Sequence, residues 1–164
     1  MGGIITIFKE ELFILLLSAA PISELRGAIP AAITVLGFSP LYSLILGVIG
    51  NTIPVPFLLK LLKPLFDFFG ETGAFGGIIT WIKKRTLKRS DKVKKYSIVG
   101  LYLLVAIPLP TTGAWTGCLA ATLFNIKFKH AFPAILLGIL TSGIIMVLVT
   151  TQATWLAKYL FAEV

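Results

Sequence analysis

Pro21-Ile22-Ser23-Glu24-Leu25-Arg26-Gly27-Ala28-Ile29-Pro30 sets a carboxylate and a guanidinium two residues apart, between prolines, inside an apolar run from Leu12 to Leu62. A charged side chain at the centre of a bilayer costs roughly 2.5–3.5 kcal/mol on insertion scales. Where such residues persist they face a bundle interior or a polar cavity. A second stretch, Pro108-Leu109-Pro110-Thr111-Thr112-Gly113-Ala114-Trp115-Thr116-Gly117, has a related makeup: a proline-led polar turn, then Gly-Ala, then an apolar segment. Read together, the two stretches are the tips of two re-entrant helical hairpins that meet near the middle of a membrane.

The rest of the composition agrees with a membrane. Hydrophobic residues make up 57% of the chain and charged ones 13%, against roughly 25% charged in a soluble domain. The formal net charge is +8, and many of the cations fall in the Lys83–Lys95 run, flanking apolar spans. That distribution predicts cytoplasmic anchoring with anionic lipid headgroups as partners. Aromatics that would stack nucleobases are not interleaved with these cations, which argues against nucleic acid as a partner. Cys118 and His130 are each the only residue of their kind. An internal disulfide, a Cys/His metal site and a Ser–His nucleophile are thereby excluded. The expectation is a protein without metal or cofactor that is not an enzyme. Leu12 to Leu17 followed by Ser18-Ala19-Ala20 imitates a signal peptide, but Glu10 and Glu11 beside Lys9 are wrong for its basic flank. The segment reads as mature sequence.

From Glu10 to Ala20 the chain is an apolar helix of about 16 Å, half of a roughly 30 Å hydrocarbon core. Pro21 stops it, and Ala28 to Leu36 gives a second short helix closed by Gly37-Phe38-Ser39-Pro40. The competing reading, one long helix from Ile4 to Leu36, must carry Pro21, Gly27 and Pro30 in its interior. Hairpin one is therefore placed at residues 10–37 and a full span at 41–62. Asn51 and Thr52 sit at the middle of that span, followed by Pro54 and Pro56, which free backbone carbonyls. Residues 63–95 read as a basic amphipathic linker on the membrane surface. Hairpin two follows at 97–124 and a second span at 133–155, with Thr141 and Ser142 near its centre. Trp155 and Tyr159 mark its far interface.

The predicted fold is thus an all-α integral membrane protein forming a single membrane domain over residues 1–164. It consists of two repeats, 10–62 and 96–156, each a re-entrant hairpin plus one transmembrane helix, joined by the basic linker. The sequence pairs Gly27-Ala28 with Gly113-Ala114, and the Gly47–Thr52 segment with the Gly138–Gly143 segment. If the linker does not cross, counting crossings makes the repeats inverted, an arrangement common in transporters with sites at mid-membrane. One side then holds the Lys83–Lys95 run with Lys60, Lys63, Lys127 and Lys129. The other holds Lys9 and Lys158. By the positive-inside rule the linker is cytoplasmic and both termini lie outside.

In this arrangement Glu24, Arg26, Thr111 and Thr112 meet Asn51, Thr52, Thr141 and Ser142. Gly27 and Gly113 open two helices whose N-termini favour an anion. Arg26 is a planar, permanently charged donor suited to phosphate or carboxylate. Glu24 either neutralises Arg26 in the empty site or takes up a proton. The competing reading is purely structural: Glu24 and Arg26 pair to fix the hairpin, while Thr111 and Thr112 cap a helix.

Glu24-Leu25-Arg26-Gly27-Ala28-Ile29-Pro30, with the motif at 108–117, resembles the small multidrug export proteins of bacteria and archaea, over nearly the whole chain. More remotely, the twin hairpins are similar to the DedA / SNARE-associated (VTT domain) membrane protein superfamily. Its members are implicated in moving polyprenyl-phosphate carriers or phospholipids, often with proton coupling. DedA proteins carry acidic and arginine residues at the hairpin tips. Here both charges lie in the first tip, and the second has threonines.

The expected function is translocation of a small amphipathic anion such as a lipid phosphate, with proton coupling through Glu24. Two alternatives stand beside it: efflux of small hydrophobic cations, and a structural or assembly role without transport. The resemblance implies the inner or plasma membrane of a bacterium or archaeon. Two full spans would leave the hairpins open to lipid, which predicts a homodimer.

Overall fold

The computed structural model describes residues 2–72, 91–109 and 112–161. Within them every regular element is a helix: α1 (Gly2–Ala19), α2 (Glu24–Thr34), α3 (Pro40–Thr52), α4 (Pro54–Thr72), α5 (Asp91–Ala106), α6 (Ala114–Leu123) and α7 (Phe128–Phe161). Most of the expected surface linker, residues 73–90, lies outside the described residues, as does Thr111. The stretches Pro40–Leu65 and Phe128–Leu160 are each long and apolar enough to cross a membrane.

The chain divides into two compact units, one of Met1–Ile53 with Ile139–Val164, the other of Pro54–Gly138. The division does not follow the two repeats in chain order. The first unit holds the α1–α2 hairpin, α3 and the later part of α7. The second holds α4, the α5–α6 hairpin and the opening of α7.

In the first unit α1 begins at Gly2, not at Glu10. Nothing in Ile4-Ile5-Thr6-Ile7-Phe8 breaks a helix, so Lys9, Glu10 and Glu11 fall in its middle instead of marking its start. α2 likewise begins at Glu24 rather than Ala28, which moves the charged residues from a loop into the first helical turn. The bend between the two helices is short and well bonded. The Ser23 hydroxyl donates to the Leu17 carbonyl at 2.5 Å, and the Glu24 amide donates to the Ala20 carbonyl at 3.1 Å. At its far end α2 closes on Gly37, whose φ of +68° is the left-handed geometry a glycine adopts without steric cost. There the Phe38 amide donates to the Ala32 carbonyl at 2.9 Å. Ser39 then caps α3, with Pro40 in its first turn.

α1 and α3 run in the same direction. At one end the Tyr42 hydroxyl donates to the Glu11 carboxylate, and at the other the Ser18 hydroxyl donates to the Gly47 carbonyl at 2.6 Å. The backbones nearly touch at Gly50, where an added Cβ would lie 2.6 Å from the Leu15 carbonyl oxygen. α2 returns antiparallel, resting Ile29 and Leu25 against Gly47, around a small core of Ile14, Ala28, Ala32 and Leu46. The turn between α1 and α2 is therefore level with the C-terminal end of α3. The chain emerges at the opposite end, where the Phe38 ring sits edge-on to Tyr42 with centroids 5.4 Å apart. The later part of α7 joins through Gly143, whose Cβ position lies 2.7 Å from Leu44 and 3.4 Å from Val48.

The expected span at 41–62 falls within Pro40–Leu65, a helical stretch long and apolar enough to cross a membrane. In it α3 and α4 meet at Ile53, whose backbone stays right-handed helical and whose amide donates to the Ile49 carbonyl at 3.1 Å. α4 runs on through Lys63 and Pro64 to Thr72. In the second unit Gly138 of α7 admits α5, since a Cβ there would lie 2.7 Å from Val105 and 3.1 Å from the Tyr102 carbonyl. Gly117 of α6 admits Val105 in the same way, at 2.6 Å. The Cys118 thiol, 3.9 Å from the Val55 carbonyl, links α6 to α4. Lys60 stands 5.9 Å from the Phe128 ring centroid, which sets it at the same end as Lys127 and Lys129.

Gly50→Ala forces Cβ into backbone at the α1–α3 crossing, where the neighbour cannot rotate away. Overpacking of this kind costs about 1–3 kcal/mol. Its thermal unfolding midpoint in mild detergent is expected to fall, while Gly100→Ala, at a position with open space around it, leaves the midpoint unchanged or higher.

Candidate functional site

Seven of the ten expected site residues fall in the first unit: Glu24, Arg26, Gly27, Asn51, Thr52, Thr141 and Ser142. Thr112 and Gly113 belong to the second unit.

Glu24 opens α2 at the apex of the hairpin and is only 5% exposed. Its φ of +48° is the left-handed region, which costs an ordinary residue roughly 1–2 kcal/mol. Arg26, half-buried in the same helical turn, lies within electrostatic reach of the Glu24 carboxylate. Gly27 differs from expectation in one respect: its amide donates to the Ser23 carbonyl at 2.9 Å. The amide is occupied by the hairpin itself, so a ligand at this turn would be held by Arg26 more than by the Gly27 backbone.

Two neutral side chains in the unit are buried with oxygens unsatisfied. Asn51 is 1% exposed and Ser142 is 2% exposed. Asn51 Oδ1 and Ser142 Oγ each lack a hydrogen-bond partner. Buried polar atoms are normally paired, with protein groups or with ordered water. Thr52 is unlike them, because its hydroxyl donates to the Val48 carbonyl at 2.7 Å within its own helix. Thr141 is half-buried.

In the second hairpin turn the described residues make local hydrogen bonds. The Thr112 hydroxyl donates to the Ile107 carbonyl at 2.9 Å and the Leu109 carbonyl at 3.1 Å. The Gly113 amide donates to the Thr116 hydroxyl at 2.8 Å, which caps α6. The cap of α6 thus comes from Thr116, while Thr112, expected from the sequence as a capping residue, bonds back toward the end of α5.

Sequence reasoning missed Ser18 and Ser43, both fully buried. Ser18 bonds across helices to Gly47, and Ser43 bonds back to the Ser39 carbonyl at 3.0 Å. A signal was present, since small polar residues on apolar helices face other helices more than lipid. The Glu11–Tyr42 bond was also missed, because the two residues are far apart in sequence. Among the described residues, His, Cys, Asp and Glu form no cluster of three that could hold a metal ion.

A family model described as "Putative small multi-drug export protein" matches residues 24–145, about three quarters of the chain. The match opens on Glu24 and takes in all ten expected site residues. Neither a curated protein nor a solved structure matches the chain.

Backbone geometry and carboxylate chemistry at Glu24 separate in a paired substitution. Glu24→Gly and Glu24→Ala both remove the carboxylate, but only glycine relaxes at positive φ. Glu24→Gly is expected to be the more stable by about 1–2 kcal/mol, read from unfolding midpoints of the two purified variants.

Proposed function

The chain belongs to the small multi-drug export protein family, and from that premise we propose a membrane transporter for a small amphipathic anion, with a lipid phosphate as the leading case. The observation that carries this reading is the Glu24–Arg26 pair at the apex of a helical hairpin in an apolar unit. Arg26 supplies the charge and the planar donors a phosphate requires. Glu24 screens Arg26 when no anion is bound, or carries a proton. Asn51, Thr52, Thr141 and Ser142 belong to the same region. Thr112 and Gly113 lie in the equivalent turn of the second repeat, and Thr111 is assigned to it from the sequence. The lipid-phosphate assignment also draws on the resemblance of the motifs to the DedA superfamily.

The hairpins are proposed to be re-entrant and the repeats inverted. Supporting the first point, the apolar part of α1 from Leu12 onward is about 12 Å long, and the chain comes back beside Tyr42. Supporting the second, two glycines receive the same pair of neighbours. Gly50 meets the Leu15 carbonyl and Ser18, and Gly138 meets the Tyr102 carbonyl and Val105, in each case residues three apart. These contacts equate Gly50 with Gly138, one turn away from the pairing of Gly47 with Gly138 that sequence suggests. The makeup of the units supports it too, since each combines one hairpin with the opening of one long helix and the close of the other. The clustering of Lys60 with Lys127 and Lys129 supports a cytoplasmic face at that end of the second unit, with the basic linker inside, binding anionic headgroups, and both termini outside, in the plasma membrane.

A second reading follows from the family's description: export of hydrophobic cations, for which the buried Glu24 would be the counter-charge. Proteoliposome flux discriminates the two. Loss of one charge-assisted contact, worth about 1.5–3 kcal/mol, predicts that Arg26→Ala slows anionic-lipid movement roughly 10- to 100-fold. Cation flux that needs Glu24 and ignores Arg26 would establish the second reading instead. The homodimer is tested separately by native mass measurement in mild detergent, where a species of twice the chain mass is expected and a monomer would refute it.

A further inference from the structure

The second unit carries a cluster of cations that plays no part in the chemistry of Arg26. Two helices lead side by side to it. The Cys118 thiol of α6 lies against the Val55 carbonyl of α4. Further along, Lys60 Nζ of α4 stands 5.9 Å from the centroid of the Phe128 ring, just past the end of α6. The turn from α6 into α7 is held by local bonds. Asn125 takes a left-handed φ of +50°, and the Ile126 amide donates to the Ala121 carbonyl at 2.8 Å. The Lys127 carbonyl accepts from the His130 and Ala131 amides at 2.9 and 3.0 Å. Lys127 and Lys129 flank Phe128 in the chain, so this turn brings two further cations to the neighbourhood of Lys60. Lys63 follows on α4, and all four lysines are exposed. The nearest acid in sequence is Asp67, one turn past Lys63, so this end is positive on balance.

The surroundings decide the kind of partner. Phe57 and Leu61 on α4, with Phe124 and Phe128 at the turn, are large apolar side chains left exposed around these cations. Lys60 and Lys63 lie in the last turns of the apolar stretch Pro40–Leu65, and Lys127 and Lys129 lie at the opening of Phe128–Leu160. The ends of such stretches meet the headgroup layer of a bilayer. A water-soluble anion would satisfy the lysines and leave the apolar side chains uncovered. An anionic phospholipid satisfies both, with its phosphate on the ammonium groups and its acyl chains on the apolar side chains.

We propose that this end of the second unit, built from Lys60, Lys127 and Lys129 around Phe128, binds the phosphate headgroup of one anionic phospholipid. The Phe128 ring holds the Lys60 ammonium by a cation–π contact, so less side-chain freedom is lost when the lipid binds. Basic pockets between membrane helices bind phospholipid headgroups by the same combination of charge and depth. The site differs in kind from the Lys83–Lys95 run, whose cations follow one another along the chain. Here the fold brings together two segments far apart in sequence, which suits a single bound lipid. The proposal does not rest on the transporter reading, since Arg26 belongs to the first unit.

The test is thermal unfolding of the full-length protein in mild detergent, with phosphatidylglycerol or phosphatidylcholine added at equal mole fraction. Phosphatidylglycerol at about 100 times its half-saturating level is expected to raise the midpoint by roughly 5–10 °C over phosphatidylcholine. Each lysine beside an anionic headgroup contributes about fivefold in affinity. A variant combining Lys60→Gln, Lys127→Gln and Lys129→Gln should therefore need roughly 100-fold more phosphatidylglycerol for half the shift. The three side chains are exposed, so its midpoint in phosphatidylcholine stays within about 2 °C of the unsubstituted protein. Should the triple variant not fold, Lys60→Gln alone is expected to move the half-shift about fivefold. Substituting glutamine for the linker cations Lys83, Lys84, Arg85, Lys88 and Arg89, or Arg26→Ala, should keep the shift. Equal midpoints in the two lipids would overturn the proposal. So would a shift that survives the triple substitution, or one lost with the linker cations or with Arg26. The same shift from inorganic phosphate alone would mark a site for free anions, and would overturn it too.

Discussion

The close approach of α1 to α3 at Gly50 is the contact on which the first unit depends. In lipid, apolar side chains gain little by leaving one hydrocarbon surface for another, so helices associate through packing and interhelical hydrogen bonds. Here the Leu15 carbonyl abuts Gly50 and the Ser18 hydroxyl bonds the Gly47 carbonyl, so two glycines one turn apart hold α1 in register with α3. That register fixes the depth of the hairpin turn, and with it the depth of Glu24 and Arg26. Ile29, which lies against both Gly47 and Gly143, ties α2 and the later part of α7 to the same point.

Glu24 is held at this depth against two costs, its left-handed backbone and the burial of its carboxylate. The turn offsets part of the first through three local bonds: Ser23 to Leu17, Glu24 to Ala20, Gly27 to Ser23. Arg26 offsets part of the second. The Glu24 and Gly27 amides are thereby occupied within the turn itself.

Much of this was legible in sequence because prolines and glycines punctuate it. α6 occupies the residues expected of it, 114–123, since a Pro-led turn precedes it and Phe124-Asn125 ends it. The polar centres of both long helices were likewise visible as interruptions of apolar runs. The starts of α1 and α2 were not. Charges at Lys9 to Glu11 and at Glu24 to Arg26 read as boundaries, yet a charged residue does not break a helix as proline does, and both helices run through them. The likeness of the contacts made at Gly50 and Gly138 was hidden for a different reason. Gly47 and Gly50 are both plausible partners by spacing, and only the backbone they touch distinguishes them. Residues joined across helices, Ser18 to Gly47 and Glu11 to Tyr42, carry no local signal at all.

The two hairpins share a packing scheme and differ in chemistry. In the first unit a small residue on the long helix, Gly47, receives a large one on the hairpin, Ile29. In the second the sizes are exchanged, with Gly117 on the hairpin lying beside Ile135 on the long helix. Either order lets backbones approach, so the scaffold tolerates the exchange. The polar groups do not follow this rule. Those described in the second turn bond within it, through Thr112 and the Gly113–Thr116 pair. In the first unit Asn51 and Ser142 keep buried oxygens unsatisfied, and the Glu24 side chain is buried as well. A buried charge costs desolvation without adding to the packing, and among the described residues the buried charged side chain is Glu24, in the first unit, with Arg26 as its counter-charge.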